Sequence, residues 1–394
     1  MTMRRPWAWP LMPMYGAALA AKDALRAAGL TRQRQLDWPV ISVGSLSAGG
    51  AGKTPVTIAL ANLLTDRGWT VDVLSRGYRR AGRGVEPVDL RHADPARQFG
   101  DEPTLIARRT GLPVWVGADR YTSGAVAEAS APAADKQYAE ALVSPHISVG
   151  GPDPDGVSFV ITTLKTEAAP EPGTSPRVHL LDDGMQHRGL KRSFELVLVT
   201  AEDLHDSLLP TGNLREPLSA LRRADALAVR EDEVGQVSGP LRTLVGREVP
   251  IWTVRRSLRF PAPLGVFGAG LRPLAFCGLA RPENFAAMLA KAGCGVVDTV
   301  IFPDHHRYTE RDVQELIRLA KSVDASGFFT TEKDAVKLSA ATLARLQGEI
   351  GPVVVPQLDV AFVYESPVVR ALSARVQAPA PARAVSDRNE VRSR

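Results

Sequence analysis

Cysteine is nearly absent: Cys277 and Cys294 are the only two in 394 residues. Both sit in apolar surroundings without CxxC spacing. That argues against a disulfide framework or a catalytic thiol and leaves two reduced core residues in a cytosolic compartment. Internal repeats are also absent. Long apolar runs are missing too. The stretch Pro6–Ala21 is uncharged, but it is shorter than the ~20 residues of a spanning helix, and Pro10 and Pro13 interrupt it. The chain is therefore no bundle of membrane spans. What it does have is ordinary for a globular protein: 44% hydrophobic and 23% charged residues. Its length suits two or three domains. The net charge of +5 fits an anionic partner. No aromatic–basic interleaving points to nucleic acid.

The N-terminus allows two readings. Arg4 and Arg5 precede the uncharged stretch, and Ala18-Leu19-Ala20 resembles a signal-peptidase site. Against a secretory signal, a nucleotide-binding loop follows, and ATP is cytosolic. After Pro13 the pattern Met14, Tyr15, Ala18, Leu19, Lys22, Leu25, Arg26 gives a helix with one apolar face. Trp7, Trp9 and Tyr15 suit a lipid–water interface. The segment reads as an uncleaved interfacial anchor; a plain packed helix is the bland alternative.

Downstream, PVISV (39–43), a glycine-rich turn, a helix through Val56–Thr65 and TVDVL (70–74) form a βαβ unit. A helix over Pro103–Arg109 and a strand over Pro113–Val116 follow. Residues 128–176 are rich in Ala, Pro, Gly and Ser and read as an inserted surface excursion with one strand, Val157–Thr162. Strands are expected at Val178–Leu181, Glu195–Thr200 and Ala226–Val229. The alternation in Pro250–Arg259 suggests a bridging ribbon. A second α/β unit then follows: a strand at Leu274–Cys277, helices Pro282–Ala292 and Glu310–Ser322, and strands Val296–Phe302, Gly327–Thr330 and Val353–Val363. From Ala378 on, the tail reads as disordered.

The segment Gly44-Ser-Leu-Ser-Ala-Gly-Gly-Ala-Gly-Lys-Thr54 lies between strand and helix, the context a phosphate-binding loop requires. Gly49, Gly50 and Gly52 let the backbone curl so that N–H groups face phosphate oxygens, and the helix N-terminus adds its positive end. Lys53 reaches the terminal phosphates, and Thr54 offers a hydroxyl to Mg2+. Ser47 replaces the first glycine of the strict pattern. The strand Arg177-Val-His-Leu-Leu ends in Asp182 and Asp183, the carboxylates a phosphate loop needs for its metal. In an extended chain the two project to opposite sides.

Taken together, the chain resembles the tetraacyldisaccharide 4'-kinase family of lipid A synthesis. The stretches are VGSLSAGGAGKTP (43–55), SRGYRR (75–80), GDEP (100–103), LLDDGMQHRGLKR (180–192), LLPTGNLREPLSALRRADAL (208–227), AFCGLARPENF (275–285), FPDHHRYT (302–309) and TTEKDAVKL (330–338). The resemblance implies an α/β fold. Its parts are an N-terminal amphipathic helix (1–30), a P-loop parallel-sheet core (31–250) and a linker ribbon (251–264). A smaller C-terminal α/β domain (265–376) and a tail (377–394) complete it.

It further implies transfer of the ATP γ-phosphate to the 4'-hydroxyl of a tetraacyldisaccharide 1-phosphate, with Mg2+, at the cytoplasmic face of the inner membrane. No obligate protein partner is evident. By resemblance Asp101 is the base and His305 orients it. Lys53 and Asp183 complete the catalytic group. Thr54, Asp182 and Glu216 face the metal, and Gly49, Gly50, Ala51, Gly52, Lys53, Thr54 and Pro55 hold the nucleotide. Arg76, Tyr78, Gln186, His187 and Arg215 face the substrate. Sequence alone also allows Asp101 as a helix cap and Arg215–Glu216 as a surface ion pair. Glu332, Lys333 and Asp334 read as caps and ion pairs of the C-terminal domain or its hinge. If His305 acts, the two units close around ATP, and an open cleft is expected without it.

Three features depart from the family pattern: Ser193 replaces an aspartate, Leu204-His-Asp-Ser207 replaces a Gly-Asn pair, and the 128–176 excursion is longer. A switch or partitioning ATPase is the rival class. Its signature lysine would fall at Ala48 and is missing.

Overall fold

The computed structural model describes residues 5–31, 33–143, 176–261 and 272–376. The strands are β1 (Val40–Ser45), β2 (Thr70–Ser75), β3 (Glu86–Pro87), β4 (Val114–Val116), β5 (Arg177–Asp182), β6 (Phe194–Val199), β7 (Ala226–Arg230), β8 (Ile251–Arg259), β9 (Pro273–Cys277), β10 (Asp298–Ile301), β11 (Gly327–Thr330), β12 (Val353–Val354) and β13 (Gln357–Phe362). The helices are α1 (Met12–Ala27), α2 (Lys53–Thr65), α3 (Pro95–Phe99), α4 (Asp101–Thr110), α5 (Arg120–Val143), α6 (Val234–Val245), α7 (Pro282–Lys291), α8 (Glu310–Ser322), α9 (Glu332–Ala335), α10 (Ala340–Glu349) and α11 (Glu365–Val376).

Two sheets organise the chain. The larger has the order β13-β8-β7-β6-β1-β5-β2-β4-β3, and the smaller β10-β9-β11-β12. All neighbours pair parallel except β13 with β8 and β3 with β4. Every residue of β1 and β6 is buried, as in strands covered on both faces. Helix α2 is apolar nearly all round and inserts Val56, Leu60, Ala61 and Leu64 into the main core. Helix α8 is the opposite case. It buries only Val313, Leu316, Ile317 and Ala320, at helical spacing, and starts at a capping box of Thr309 and Asp312.

Beneath the main sheet lies a buried charged cluster. His179 on β5 pairs with Asp72 on β2 and reaches Glu128 on α5 at 3.3 Å. Glu128 also accepts the Trp38 N–H at 2.7 Å, and the Trp38 ring stacks on His179. This cluster fastens α5 to the sheet.

Several expected boundaries shift. Residues 128–143, expected in an excursion, continue α5; the strand expected at Val157–Thr162 lies outside the described residues, as does the tail from 377. The single late strand Val353–Val363 is two strands, β12 in the small sheet and β13 in the large one. Pro356 sits between them and cannot donate to a ladder. After that proline the chain returns to the larger unit, where Val368 and Leu372 of α11 join the main core. The smaller sheet thus spans β9 to β12, less than the expected 265–376. Strands β8 and β13 pair antiparallel as a ribbon, with Val254 opposite Phe362 and Arg259 opposite Gln357.

At the N-terminus a short 3-10 turn, Pro6–Leu11, leads into α1. Trp7, Trp9 and Met14 are each at least 70% exposed, so the apolar residues here face outward. No described helix is long and apolar enough to cross a membrane.

Candidate active site

Strand β1 delivers the phosphate loop at its carboxyl end, between β6 and β5. Gly50 and Gly52 take left-handed conformations, φ 74° and 86°, which a side chain resists. Gly49, Gly50, Gly52, Lys53, Thr54 and Pro55 line a cavity of about 610 Å3 shared by the two units. Ala51 is buried and does not line it. Lys53 Nζ donates to Ser45 Oγ at 3.1 Å and lies 3.6 Å from Asp183 Oδ1.

Asp182 ends β5 and is buried, accepting from Thr57 Oγ1 at 3.2 Å and Ser75 Oγ at 3.4 Å. Burial, then the nearby Glu102 and Asp183 carboxylates, push its pKa up to about 7. Asp183 has φ 51°, so the chain is not extended there. Both aspartates line the cavity instead of parting to opposite faces. Arg215 grips Asp183 with bonds of 2.9 and 2.6 Å. Burial opposes the Asp183 charge, but Lys53 and Arg215 hold its carboxyl well below the usual range.

Asp101 opens α4, yet Gly100 is the cap residue and no side chain caps that helix. The Asp101 carboxylate instead accepts from His305 Nδ1 at 2.8 Å. Burial raises the Asp101 pKa, but the bond and charge of His305 together with the Lys333 and Lys337 charges outweigh it and lower the value. His305 sits at φ 60° in the loop before α8, with the edge of Tyr78 at 5.2 Å. Arg76 and Tyr78 also line the main cavity. A second cavity of about 210 Å3 touches Asp101, His305 and Tyr78 from another side.

The expected open cleft is not observed. Besides Asp101–His305, Arg109 of α4 binds Glu332 of α9, and Arg307 donates to the Arg79 carbonyl at 2.9 Å. A Cβ on Gly49 would lie 3.3 Å from the Ala280 side chain. The charged groups at this seam are complementary, and the two units meet across it. Glu216, expected at the metal, is placed elsewhere. Its carboxylate is paired with Arg223 and lies outside the cavity lining. Gln186 and His187 are not in that lining either. Gln186 Nε2 donates to the Ser45 carbonyl at 3.0 Å, and burial with Arg120 pushes the His187 pKa down to about 4.

Sequence reasoning missed several cavity residues. Glu102 lies in the GDEP stretch and lines the cavity. Arg120 carries no sequence signal, yet it is 3% exposed, lines the cavity, and leaves its Nε without a partner. Burial lowers its pKa to about 10, against the pull of Asp182. Among the described residues no group of three or more His, Cys, Asp or Glu is arranged as a metal cage.

The family model for tetraacyldisaccharide-1-P 4'-kinase matches residues 4–377. A tetraacyldisaccharide 4'-kinase of Koribacter versatilis is 37% identical, covering 84% of this chain and 88% of that protein. One from Anaeromyxobacter sp. (strain Fw109-5) is 36% identical, over 84% of this chain and 82% of that protein. The solved structure of apo-form LpxK from Aquifex aeolicus in complex with ATP superposes with a TM-score of 0.65 at 27% identity. That superposition covers 94% of this chain and 99% of the other. Agreement of this extent, in sequence and in fold, shows that the chain belongs to the tetraacyldisaccharide-1-P 4'-kinase family.

Proposed function

We propose that this chain transfers the γ-phosphate of ATP to the 4'-hydroxyl of a tetraacyldisaccharide 1-phosphate. The observation that carries the reading is the seam geometry. The phosphate loop and His305 border one cavity lined from both units, and Asp101, 2.8 Å from His305, lines the smaller cavity beside it. Nucleotide phosphates rest on the loop N–H groups and on Lys53. Asp101 accepts the hydroxyl proton as the acceptor oxygen attacks, and His305 orients it. Arg120 and Arg76 supply further positive charge to the transferring group.

A hard divalent cation fits the donors present. Asp182 is buried at the cavity wall near the Asp183 and Glu102 carboxylates, and burial first, then those carboxylates, raise its pKa to about 7. Thr54 and Asp182 would hold Mg2+, which keeps most of its waters and phosphate ligands and so needs no protein cage. When bound, it neutralises charge on the phosphates. Asp183, fixed by Arg215 and facing Lys53, holds that lysine in the loop. The exposed tryptophans and α1 support placement at the inner-membrane surface, on the cytoplasmic face, where the acyl chains remain in lipid.

Incubating the purified protein with ATP, Mg2+ and tetraacyldisaccharide 1-phosphate should yield the bis-phosphorylated lipid by mass spectrometry. ATP consumed with no phosphorylated lipid would sink the proposal.

A further inference from the structure

Lys333 begins as an unremarkable member of a turn. It lies on the short α9, one turn after β11, and only 17% of its side chain is exposed. Its Nζ lies 3.0 Å from Asp304 Oδ1, 3.3 Å from His305 Nε2 and 3.5 Å from Glu102 Oε1. Helix α9 is a firm platform. Thr331 caps it, and the fully buried Asp334 accepts the Gly278 N–H at 3.0 Å.

An ammonium has hydrogens to give and no lone pair to accept. Where it meets an imidazole nitrogen, that nitrogen must be the acceptor. The contact at 3.3 Å therefore leaves Nε2 of His305 bare and places the ring hydrogen on Nδ1. Nδ1 is the atom 2.8 Å from Asp101 Oδ2. One tautomer and one ring orientation satisfy both partners. Burial works against the Lys333 charge, but Glu102, Asp304 and Asp101 outweigh it and raise its pKa, so the donor persists.

We propose that Lys333 is a positioning residue for the phosphoryl transfer, holding His305 as an Nδ1–H donor so that the ring presents Asp101 to the acceptor hydroxyl. This rests on the reading of Asp101 as the base. In that step the hydroxyl oxygen bonds to the γ-phosphorus. The bond from that phosphorus to the β–γ bridging oxygen breaks, and its electron pair leaves with ADP. The hydroxyl proton passes to the Asp101 carboxylate.

Two variants test it in the full-length protein, Lys333→Met and Lys333→Arg. Lys333→Met should lower kcat about 10- to 100-fold, with KM for ATP and for lipid within about threefold. Lys333→Arg, still a donor, should retain most of the rate. Nitrogen-15 spectra of the imidazole should show a single Nδ1–H tautomer in the unmodified protein and a mixture in Lys333→Met. Adding Lys333→Met to Asp101→Asn should cost nothing more, because both act through one group. The proposal is overturned by a wild-type kcat in Lys333→Met, by a loss confined to KM, or by an Nε2–H tautomer in the unmodified protein. The last holds even if Lys333→Met does not fold. A fully active Asp101→Asn would instead remove the base reading. An inactive Asp101→Asn beside a fully active Lys333→Met removes this proposal alone.

Discussion

At the scale of single residues, the loop lysine and threonine carry the sharpest prediction. Lys53→Ala and Thr54→Ala should each lower kcat by about 10²-fold or more without loss of fold, since both act on charge that develops during transfer. Circular dichroism and steady-state kinetics check this; near-normal turnover in either variant would refute the assignment. Asp101→Asn should lower kcat more than it raises KM for lipid, because a base works only in the transition state. A change in KM alone would make Asp101 a binding residue. The loop was legible because its glycines and Lys53-Thr54 are contiguous and sit between a strand and a helix. Glu102, Arg120 and Lys333 were not, because their meaning lies in partners far along the chain. Lys333, for example, meets Glu102 across 231 positions. The Asp183 geometry was misread for a local reason: a left-handed turn at φ 51° breaks the alternation that extended chain would give.

At the scale of elements, the His179 cluster predicts a pH dependence of stability. Burial lowers the His179 pKa, but Asp72 and Glu128 outweigh it, raising the value from 6.5 to about 9. A folded-state pKa above the unfolded one stabilises fully below pH 6.5 and is lost as pH rises through about 9. The contribution is on the order of 3 kcal/mol. Thermal melting should therefore hold steady to about pH 7 and fall toward pH 9, and His179→Gln should flatten that slope; an unchanged slope would rule the cluster out as its cause. Deleting residues 1–30 should weaken binding to anionic vesicles and raise KM for lipid in bilayers, measured by flotation and kinetics. Vesicle binding equal to that of the full chain would show that α1 is no anchor. Helix α8 was legible to the residue, because its apolar period and Thr309 cap agree. The extension of α5 to Val143 was not, because an Ala-rich run with Pro132 reads as loop.

At the scale of the whole molecule, the joint between the units is electrostatic. Arg109 on α4 donates to Glu332 at 2.8 Å and to Asp359 on β13 at 2.7 Å. Glu332 also accepts the Leu358 N–H at 2.9 Å. Arg109→Ala should therefore leave the partly buried Glu332 carboxylate without its cation, while Asp359 keeps Arg259, destabilise by about 2 kcal/mol and loosen the smaller unit. Small-angle scattering should show a larger radius for that variant. In the unmodified protein, the radius should change little when a non-hydrolysable ATP analogue is added, because the seam is already made. A marked compaction on nucleotide would mean that the resting molecule is open after all. The two-sheet plan was readable from the alternation of strands and helices. The return of β13 and α11 to the first sheet was not, since no local pattern tells a strand which of two sheets it will join.

One contact on α1 reaches further than its size suggests. The Tyr15 hydroxyl donates to the Arg215 carbonyl at 2.9 Å, and the Arg215 guanidinium clasps Asp183. If α1 lies in the lipid surface, as proposed above, that three-residue chain would work as a gauge block. It would set the height of the paired aspartates above the bilayer, and with it how far a sugar headgroup must rise to be phosphorylated. Acyl length would then matter little to the reaction, and headgroup reach a great deal.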